Sequence, residues 1–147
     1  MSLYLADSSI WIGSRRRPGS YLAALLEERI AKREVATCVP VALEVLVGAQ
    51  VPGAYDDDWA LVWSGLAWIP LRDQAARRAL AVQRGLLGTG AGAHRHPVVD
   101  YLIAACAEDA GEGVVLWHWD ADLSAICEHT GQPHEPEHDR AHEHGLQ

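Results

Sequence analysis

The chain has 147 residues, of which 49% are hydrophobic and 22% are charged. This length fits one domain with a single core, and this composition excludes a disordered chain. The formal net charge of −8 excludes binding to nucleic acid through bulk positive charge. No apolar run approaches the ~20 residues of a membrane-spanning helix, and the first residues show no signal-peptide pattern. We therefore expect a cytoplasmic protein without membrane association, whose cysteines stay reduced and buried: Cys38, Cys106 and Cys127.

Short apolar runs alternate with segments of helical periodicity along the chain. In chain order, these patterns predict a strand at 3–6, helices from 8 and from 20, a strand at 34–38, helices from 40 to about 48 and at 56–63, a strand at 67–71, helices from 73 to about 87 and at 97–110, a strand at 114–119 and a helix at 123–128. We predict a hinge or mobile rim for the glycine-rich loop at 88–92. Strands that alternate with helices are typical of a parallel sheet with right-handed crossovers, so the predicted fold class is α/β.

The composition changes near residue 132. From there the chain is rich in His, Glu and Pro and has almost no apolar residues, so this segment cannot contribute to a core. We predict a folded domain at 1–131 and a polar, disordered tail at 132–147. The histidines of the tail leave a metal-binding role open: His134, His138, His142 and His144.

Two acidic residues directly follow predicted strands. Asp7 ends the first strand and Asp120 ends the last one, and each could serve only as the cap of the helix that comes next. In open α/β sheets, however, ligands bind beyond the carboxyl ends of the strands. Both carboxylates are therefore also candidates for a ligand site at that edge of the sheet.

Two further acidic residues lie early in predicted helices that begin at the same edge. The residues at helical spacing from Glu44 are apolar or small, and none of them is Lys or Arg. Asp100 lies in the first turn of its helix, where any acid gains from the helix dipole, but apolar residues follow it at helical spacing. A carboxylate on an apolar face must be paired or must bind a metal. Because hard divalent cations prefer oxygen ligands, four acids predict a cation site and phosphodiester chemistry: Asp7, Glu44, Asp100 and Asp120.

The motifs around these acids resemble those of the PIN-domain family, and specifically the VapC ribonuclease toxins of bacterial toxin–antitoxin pairs. Over residues 3 to about 130, four motifs match in order and spacing: D-S-S-I-W at 7–11, E-V-L-V-G at 44–48, D-Y-L-I-A-A at 100–105 and D-A-D-L at 120–123. The chain departs from the family pattern just before the last motif, where His118 and Trp119 replace a Thr and a basic residue. It departs again at Leu123, where the family often has an aromatic residue.

The resemblance implies a three-layer α/β/α fold with a central, mostly parallel sheet. It also implies a Mg²⁺- or Mn²⁺-dependent endoribonuclease whose products carry a 5′-phosphate and a 3′-hydroxyl. The acids named above would bind the metal and carry catalysis, with support from Ser9, Asp122 and His118. Two questions stay open at this point. The fourth acid is either Asp120 or Asp122, and His118 contacts metal, water or RNA or is only a hydrogen-bonded strand residue.

The resemblance further implies three partners, namely an RNA substrate, a cognate VapB-like antitoxin that covers the site, and a second copy of the chain in a homodimer. A helix face at 22–26 and two tryptophans, Trp59 and Trp63, are candidates for contact with the antitoxin. Seven arginines form either a solvated face or contacts to RNA: Arg15, Arg16, Arg17, Arg72, Arg77, Arg78 and Arg84.

Other classes of protein also place acids at strand ends. A phospho-acceptor receiver domain needs a lysine after a late strand, and the only lysine of this chain, Lys32, lies elsewhere. A haloacid-dehalogenase-type phosphatase needs a second Asp two residues after the first, where this chain has Ser9. Two alternatives stay open: a PIN-domain RNA-processing nuclease outside any toxin–antitoxin pair, and a non-catalytic PIN scaffold that binds RNA or protein.

Overall fold

A single parallel sheet organises the chain. The computed structural model describes residues 2–90 and 95–137. Within them, the strands are β1 (Leu3–Ala6), β2 (Val35–Thr37), β3 (Ala67–Trp68), β4 (Val114–His118) and β5 (His134–Pro136). The helices are α1 (Ser8–Arg16), α2 (Tyr21–Ala31), α3 (Val39–Leu46), α4 (Pro52–Leu61), α5 (Asp73–Leu87), α6 (Val98–Ala110) and α7 (Ala121–Thr130). The strand order is β3-β2-β1-β4-β5, and every neighbouring pair is parallel. This three-layer α/β/α arrangement confirms the predicted fold class.

The centre of the sheet consists of the two most apolar strands, β1 and β4. They pair over four residues, and the last pair brings Ala6 beside Trp117. Strands covered on both faces read as apolar runs because neither face meets water. Their fully buried apolar residues are Leu5, Ala6, Leu116 and Trp117. This register makes β1 and β4 end side by side, so the residues that follow them, Asp7 and Asp120, leave the sheet at the same edge.

Several predicted boundaries differ from the observed ones for local reasons. The third strand stops at Trp68 because Pro70 follows, and proline cannot extend a sheet ladder. The fourth helix begins at Pro52, since proline suits the first turn of a helix. Asp73 is not the cap of α5 but its first residue, and it pairs with Arg77 at 2.7 Å. Part of the predicted glycine-rich hinge, residues 91–94, lies outside the described residues.

The core explains which apolar residues are unavailable to a partner. Trp63 was expected at the surface, but it is fully buried, and its ring lies 4.8 Å from that of Trp11. Two leucines of the predicted docking face, Leu22 and Leu26, are also buried because α2 packs against α1. Trp59 is exposed, as expected. Other exposed apolar side chains lie on and after α3 and on α4, at Leu43, Val47, Val51 and Leu61, and further ones lie on α5 and α6, at Leu80, Leu87 and Val98.

The expectation for the cysteines is confirmed, because all three are free and buried. Cys38, just before α3, contacts Cys106 on α6, so this thiol pair joins the helices that carry Glu44 and Asp100. None of the helices within the described ranges has the length and apolar character needed to cross a membrane.

The C-terminal segment differs most from its prediction. Residues 134–136, which were assigned to a disordered tail, form β5 and pair with β4 at the edge of the sheet. Gln132 is buried and donates a hydrogen bond from Nε2 to the Ala104 carbonyl at 2.9 Å. The prediction of a disordered tail was wrong for these residues because it relied on their polar composition. Polar contacts, rather than burial of apolar side chains, hold this strand in place. The remaining tail, residues 138–147, lies outside the described residues.

Arg29 connects β5 to the central strands. It is almost fully buried, and its Nη1 lies 2.6 Å from Oε2 of Glu135. Its guanidinium carbon lies 3.6 Å from the ring centre of Tyr4 and 4.4 Å from that of Trp117. The Trp117 Nε1 donates a hydrogen bond to Glu137 at 2.8 Å. One buried cation therefore joins β1, β4 and β5 through two rings and one acid, and Trp117 in turn binds a second acid.

We expect Arg29→Met to destabilise the fold. Methionine keeps most of the apolar stem but removes the guanidinium, so a largely buried ion pair and two cation–π contacts are lost. The free energy of unfolding should fall by about 2 kcal/mol in urea denaturation. The control is Arg77→Met, which removes an exposed ion pair of α5 and should cost less than about 0.5 kcal/mol. Equal effects of the two substitutions would contradict the structural role of Arg29.

Candidate active site

Asp7 caps α1 with one carboxylate oxygen and leaves the other unused. Its Oδ2 accepts hydrogen bonds from the Ser9 N–H at 3.0 Å and from Ser9 Oγ at 2.6 Å. Its Oδ1 is buried and has no hydrogen-bond partner within the described part of the chain. The cap and a ligand role are therefore compatible, because each uses a different oxygen.

Asp120 repeats this arrangement at the end of β4. Its Oδ1 accepts a hydrogen bond from the Asp122 N–H at 2.7 Å and thereby caps α7. Asp122 projects from the first turn of the same helix. Asp120 and Asp122 are therefore neighbouring carboxylates at the start of one helix, and both are available as the fourth acid of the site.

Asp100 meets this pair from the first turn of α6. One oxygen each of Asp100, Asp120 and Asp122 lies within 4.8 Å of the other two. Asp100 is only 4% exposed, and its Oδ2 is buried without a hydrogen-bond partner among residues 2–90 and 95–137. An unpaired buried carboxylate is costly, so this position calls for a cation or a proton.

Glu44 stands at the rim of the site. It lies in the second turn of α3 and is half-buried, between the buried Val41 and the exposed Val47, so it is not on a wholly apolar face as the sequence pattern suggested. Its Oε1 accepts a hydrogen bond from Ser8 Oγ at 3.0 Å. Two consecutive serines at the start of α1 therefore support two acids, Ser8 on Glu44 and Ser9 on Asp7.

Burial and repulsion from neighbouring acids raise the pKa values of three of these carboxyls, those of Asp100, Asp7 and Glu44. Burial is the largest cause for Asp100, whose pKa rises to about 8, and the charges of Asp120, Asp7, Glu44 and Asp122 raise it further. Burial also raises the pKa of Asp7, although the hydrogen bonds from Ser9 oppose this shift. The pKa of Glu44 rises for the same first reason, with added repulsion from Asp7 and Asp120. The charges of all four other acids therefore act on Asp100.

The donor set fits a hard divalent cation. Every candidate ligand is a carboxylate oxygen, which is the ligand type that Mg²⁺ and Mn²⁺ prefer. The unpaired buried oxygens of Asp7 and Asp100 are available for such an ion. A cation among these acids would reverse the cause of their raised pKa values, since it favours the charged form of each.

His118 supports the backbone of the site from beneath. It is fully buried, and its Nδ1 accepts a hydrogen bond from the Asp120 N–H at 3.2 Å. Its Nε2 must then carry the proton and donate to Nδ1 of His134 at 3.0 Å, with the two rings nearly coplanar at 3°. His118 is thus a hydrogen-bonded strand residue that fixes the exit of β4.

His96 escaped the sequence prediction. Its Nδ1 donates to Oδ1 of Asp122 at 2.7 Å, and its ring is 6% exposed and lies edge-on to Tyr101. It stands directly before Pro97, the cap residue of α6, so it ties the start of α6 to the start of α7. No feature of the sequence separates His96 from the seven other histidines, because its partner belongs to a distant segment.

Comparisons with known proteins agree with this architecture. No protein-family model matches the chain. Ribonuclease VapC18 of Mycobacterium tuberculosis is 34% identical over 136 residues, which cover 90% of this chain and 93% of that protein. Ribonuclease VapC11 of the same organism is 34% identical over 133 residues, which cover 87% and 94%.

Two solved structures share the fold at low sequence identity. A DNA-bound VapBC complex from Salmonella typhimurium aligns with a TM-score of 0.69 and 18% identity, covering 92% of this chain and 98% of the matched chain. FitAcB from Neisseria gonorrhoeae aligns with a TM-score of 0.62 and 16% identity, covering 90% and 96%.

The parallel sheet with acids at the carboxyl edge of its central strands defines a PIN-domain protein. Identity of 34% along nine-tenths of the chain narrows this class further. The chain belongs to the family of VapC ribonucleases.

Asp100 should make the stability of the metal-free protein depend on pH. Its pKa is about 8 in the folded protein and about 4 in an unfolded chain. Between these values the folded protein binds more protons, so the free energy of unfolding falls as the pH rises. We expect a fall of roughly 1 kcal/mol per pH unit between about pH 6 and pH 8, measured by urea denaturation in EDTA.

The matched variants isolate this contribution. Asp100→Asn has no titrating carboxyl at this position, so the fall should be clearly smaller. Asp73→Asn removes an exposed acid of α5 and should leave the fall unchanged. If Asp100→Asn keeps the pH dependence of the unmodified chain, the pKa of the Asp100 carboxyl is not raised in the folded protein.

Proposed function

We propose that this chain is a metal-dependent endoribonuclease that hydrolyses RNA phosphodiester bonds as the toxin of a toxin–antitoxin pair. The observation that carries the proposal is the pair of unpaired, buried carboxylate oxygens on Asp7 and Asp100, which lie in a group of five interacting acids. The ribonuclease names of its relatives support the substrate class. An RNA substrate also supports action in the cytoplasm.

Each acid has a separate role in this proposal. Asp100, Asp120 and Asp122 would hold Mg²⁺ or Mn²⁺, and Asp7 would contribute its unpaired Oδ1. When bound, the ion polarises the phosphoryl oxygen, lowers the pKa of water and stabilises the leaving oxygen. Glu44, which is half-buried and has a raised pKa, accepts a hydrogen bond from the attacking water and orients it. The expected products carry a 5′-phosphate and a 3′-hydroxyl.

The residues around the acids keep them in place during the reaction. Ser9 holds Asp7 and is itself bonded to the Trp119 N–H at 2.9 Å, while Ser8 holds Glu44. His96 donates to Oδ1 of Asp122 and so fixes the orientation of that carboxylate. These contacts orient the ligands without any movement at the moment of reaction, which is the main source of catalytic power in such sites.

Cleavage of RNA should require the divalent cation. Purified protein should cut structured RNA with Mg²⁺ or Mn²⁺ and stop when EDTA removes the metal. Asp7→Asn keeps the shape of the side chain and the cap but removes a charged ligand, so activity should fall by at least ~10²-fold. Its free energy of unfolding in EDTA should be unchanged or raised, because repulsion among the acids is relieved.

The control for this experiment is Asp57→Asn, which removes an exposed acid of α4 and should leave activity unchanged. Titration calorimetry with Mn²⁺ provides a readout apart from activity, and Asp7→Asn should weaken binding of the ion. Full activity in EDTA would sink the proposal. A folded and fully active Asp7→Asn protein would reduce Asp7 to a helix cap.

A protein partner is the second part of the proposal. Exposed apolar side chains flank Glu44 on α3 and directly after it, with Leu43 65% and Val47 72% exposed. A VapB-like antitoxin that covers these side chains would also cover the rim of the acidic site and silence it. The homodimer implied by the family resemblance stays a prediction.

We expect the chain to co-purify with the small protein encoded next to its gene. Expression of the chain alone should slow cell growth, and co-expression of the neighbour should restore it. Leu43→Asp places a charge on the proposed contact surface and should weaken co-purification by at least ~10-fold, since it desolvates a charge against apolar surface. The control is Leu80→Asp, an equally exposed leucine on α5. Without co-purification and without an effect on growth, the toxin assignment fails.

A further inference from the structure

A groove runs along α1 beside the acidic site. Its volume is about 490 Å³, and its walls come from Ser8, Ser9, Gly13, Arg16, Arg17 and Trp119. Ser9 connects the groove to the acids, because its Oγ donates to Asp7 and accepts the Trp119 N–H. A molecule in the groove would therefore contact Ser9, which is hydrogen-bonded to Asp7.

The charge of the groove is unusual for this protein. Most basic side chains elsewhere are neutralised by acids. The ion pairs are Arg15–Asp58, Arg29–Glu135, Lys32–Glu28, Arg72–Asp109, Arg77–Asp73 and Arg78–Glu108. Arg16, by contrast, forms no ion pair with any residue that the structure describes. Two others share this property, but they lie on the turn before β2 (Arg33) and on α5 (Arg84), and neither lines this groove.

This distribution matters because a chain of net charge −8 repels a polyanion over most of its surface. A phosphate backbone that approaches the acids needs positive charge next to them, and Arg16 provides it on the groove wall. The partly buried Trp119 also lines the groove and adds an aromatic surface. Proteins bind single-stranded nucleic acid by combining positive charge with aromatic rings in one groove, because the unpaired bases are free to stack.

We propose that this groove holds a single-stranded segment of the RNA substrate next to the scissile phosphate. Arg16 binds a phosphate, and the ring of Trp119 stacks on a base. The inference rests on the proposed ribonuclease function and adds to it the position and the strandedness of the substrate. A duplex is disfavoured because its bases are already stacked on one another and cannot reach Trp119.

Binding can be measured without cleavage. The background is full-length Asp7→Asn protein, and the probe is a fluorescently labelled single-stranded oligoribonucleotide followed by anisotropy. Arg16→Gln and Trp119→Leu should each raise Kd about tenfold, through one lost phosphate contact and one lost stacking surface. The matched controls are Arg77→Gln and Trp59→Leu, which alter an exposed arginine and an exposed tryptophan away from the groove. They should change Kd less than twofold.

A conservative variant separates stacking from folding. Trp119→Phe keeps an aromatic face, so it should retain most of the affinity that Trp119→Leu loses. The midpoint of thermal unfolding identifies any variant that fails to fold. In the active protein, Arg16→Gln should raise KM with little change in kcat, because Arg16 contacts the bound strand and not the reacting atoms.

Two outcomes would contradict the proposal that RNA lies in this groove. Kd values of the groove variants equal to those of the controls would show that RNA does not lie there. Variants that lose binding to the antitoxin but not to RNA would assign the groove to a protein. If the unmodified chain binds RNA through the groove but cuts no RNA under any metal condition, the ribonuclease proposal fails while the groove stands. If the unmodified chain cuts RNA but the groove variants have the same Kd as the controls, the groove proposal fails while the ribonuclease proposal stands.

Discussion

Repulsion among five carboxylates at one edge of the sheet is the constraint on which the rest of the structure depends. The parallel pairing of β1 with β4 brings Asp7 and Asp120 together, and α6 adds a third, nearly buried acid, Asp100. Such a cluster opposes folding unless each carboxylate is protonated, hydrogen-bonded or bound to a cation. The surrounding serines and helix starts satisfy some of the oxygens and leave others unpaired. This is the usual relation between a functional site and the stability that the remaining core must supply.

The parts that could be predicted are those whose signal is local. Asp7 and Asp120 each follow an apolar strand, so their common edge followed from the parallel topology alone. The five-residue start of α1 and the acid in α6 carried a family resemblance as well. Even the cap reading of Asp7 was correct, and it competes with no ligand role because the two functions use different oxygens. The local sequence pattern and the tertiary arrangement agree at these residues, so their positions could be predicted from the sequence.

The parts that could not be predicted depend on contacts between distant segments. β5 has no apolar alternation, and it exists because Arg29, 106 residues earlier, pairs with Glu135. His96 reaches Asp122 across 26 residues, and nothing near it in sequence announces that contact. The prediction of a surface position for Trp63 was wrong in the same way, since its ring packs against that of the distant Trp11. Polar and aromatic side chains satisfied by remote partners look like solvated surface when only their own segment is read.

The acidic site is assembled from both ends of the chain, and this sets when it forms during synthesis. Asp7 and Glu44 leave the ribosome first, whereas Asp120, Asp122 and the strand that pairs beside them come more than 70 residues later. Because β4 lies between β1 and β5, one edge of the central strand β1 has no partner strand until the final quarter of the chain has been made. A nascent chain that has not yet reached the end of β4 therefore lacks two of the five acids, Asp120 and Asp122. The acidic site is therefore complete only near the end of synthesis, when the chain is about to leave the ribosome and its RNA.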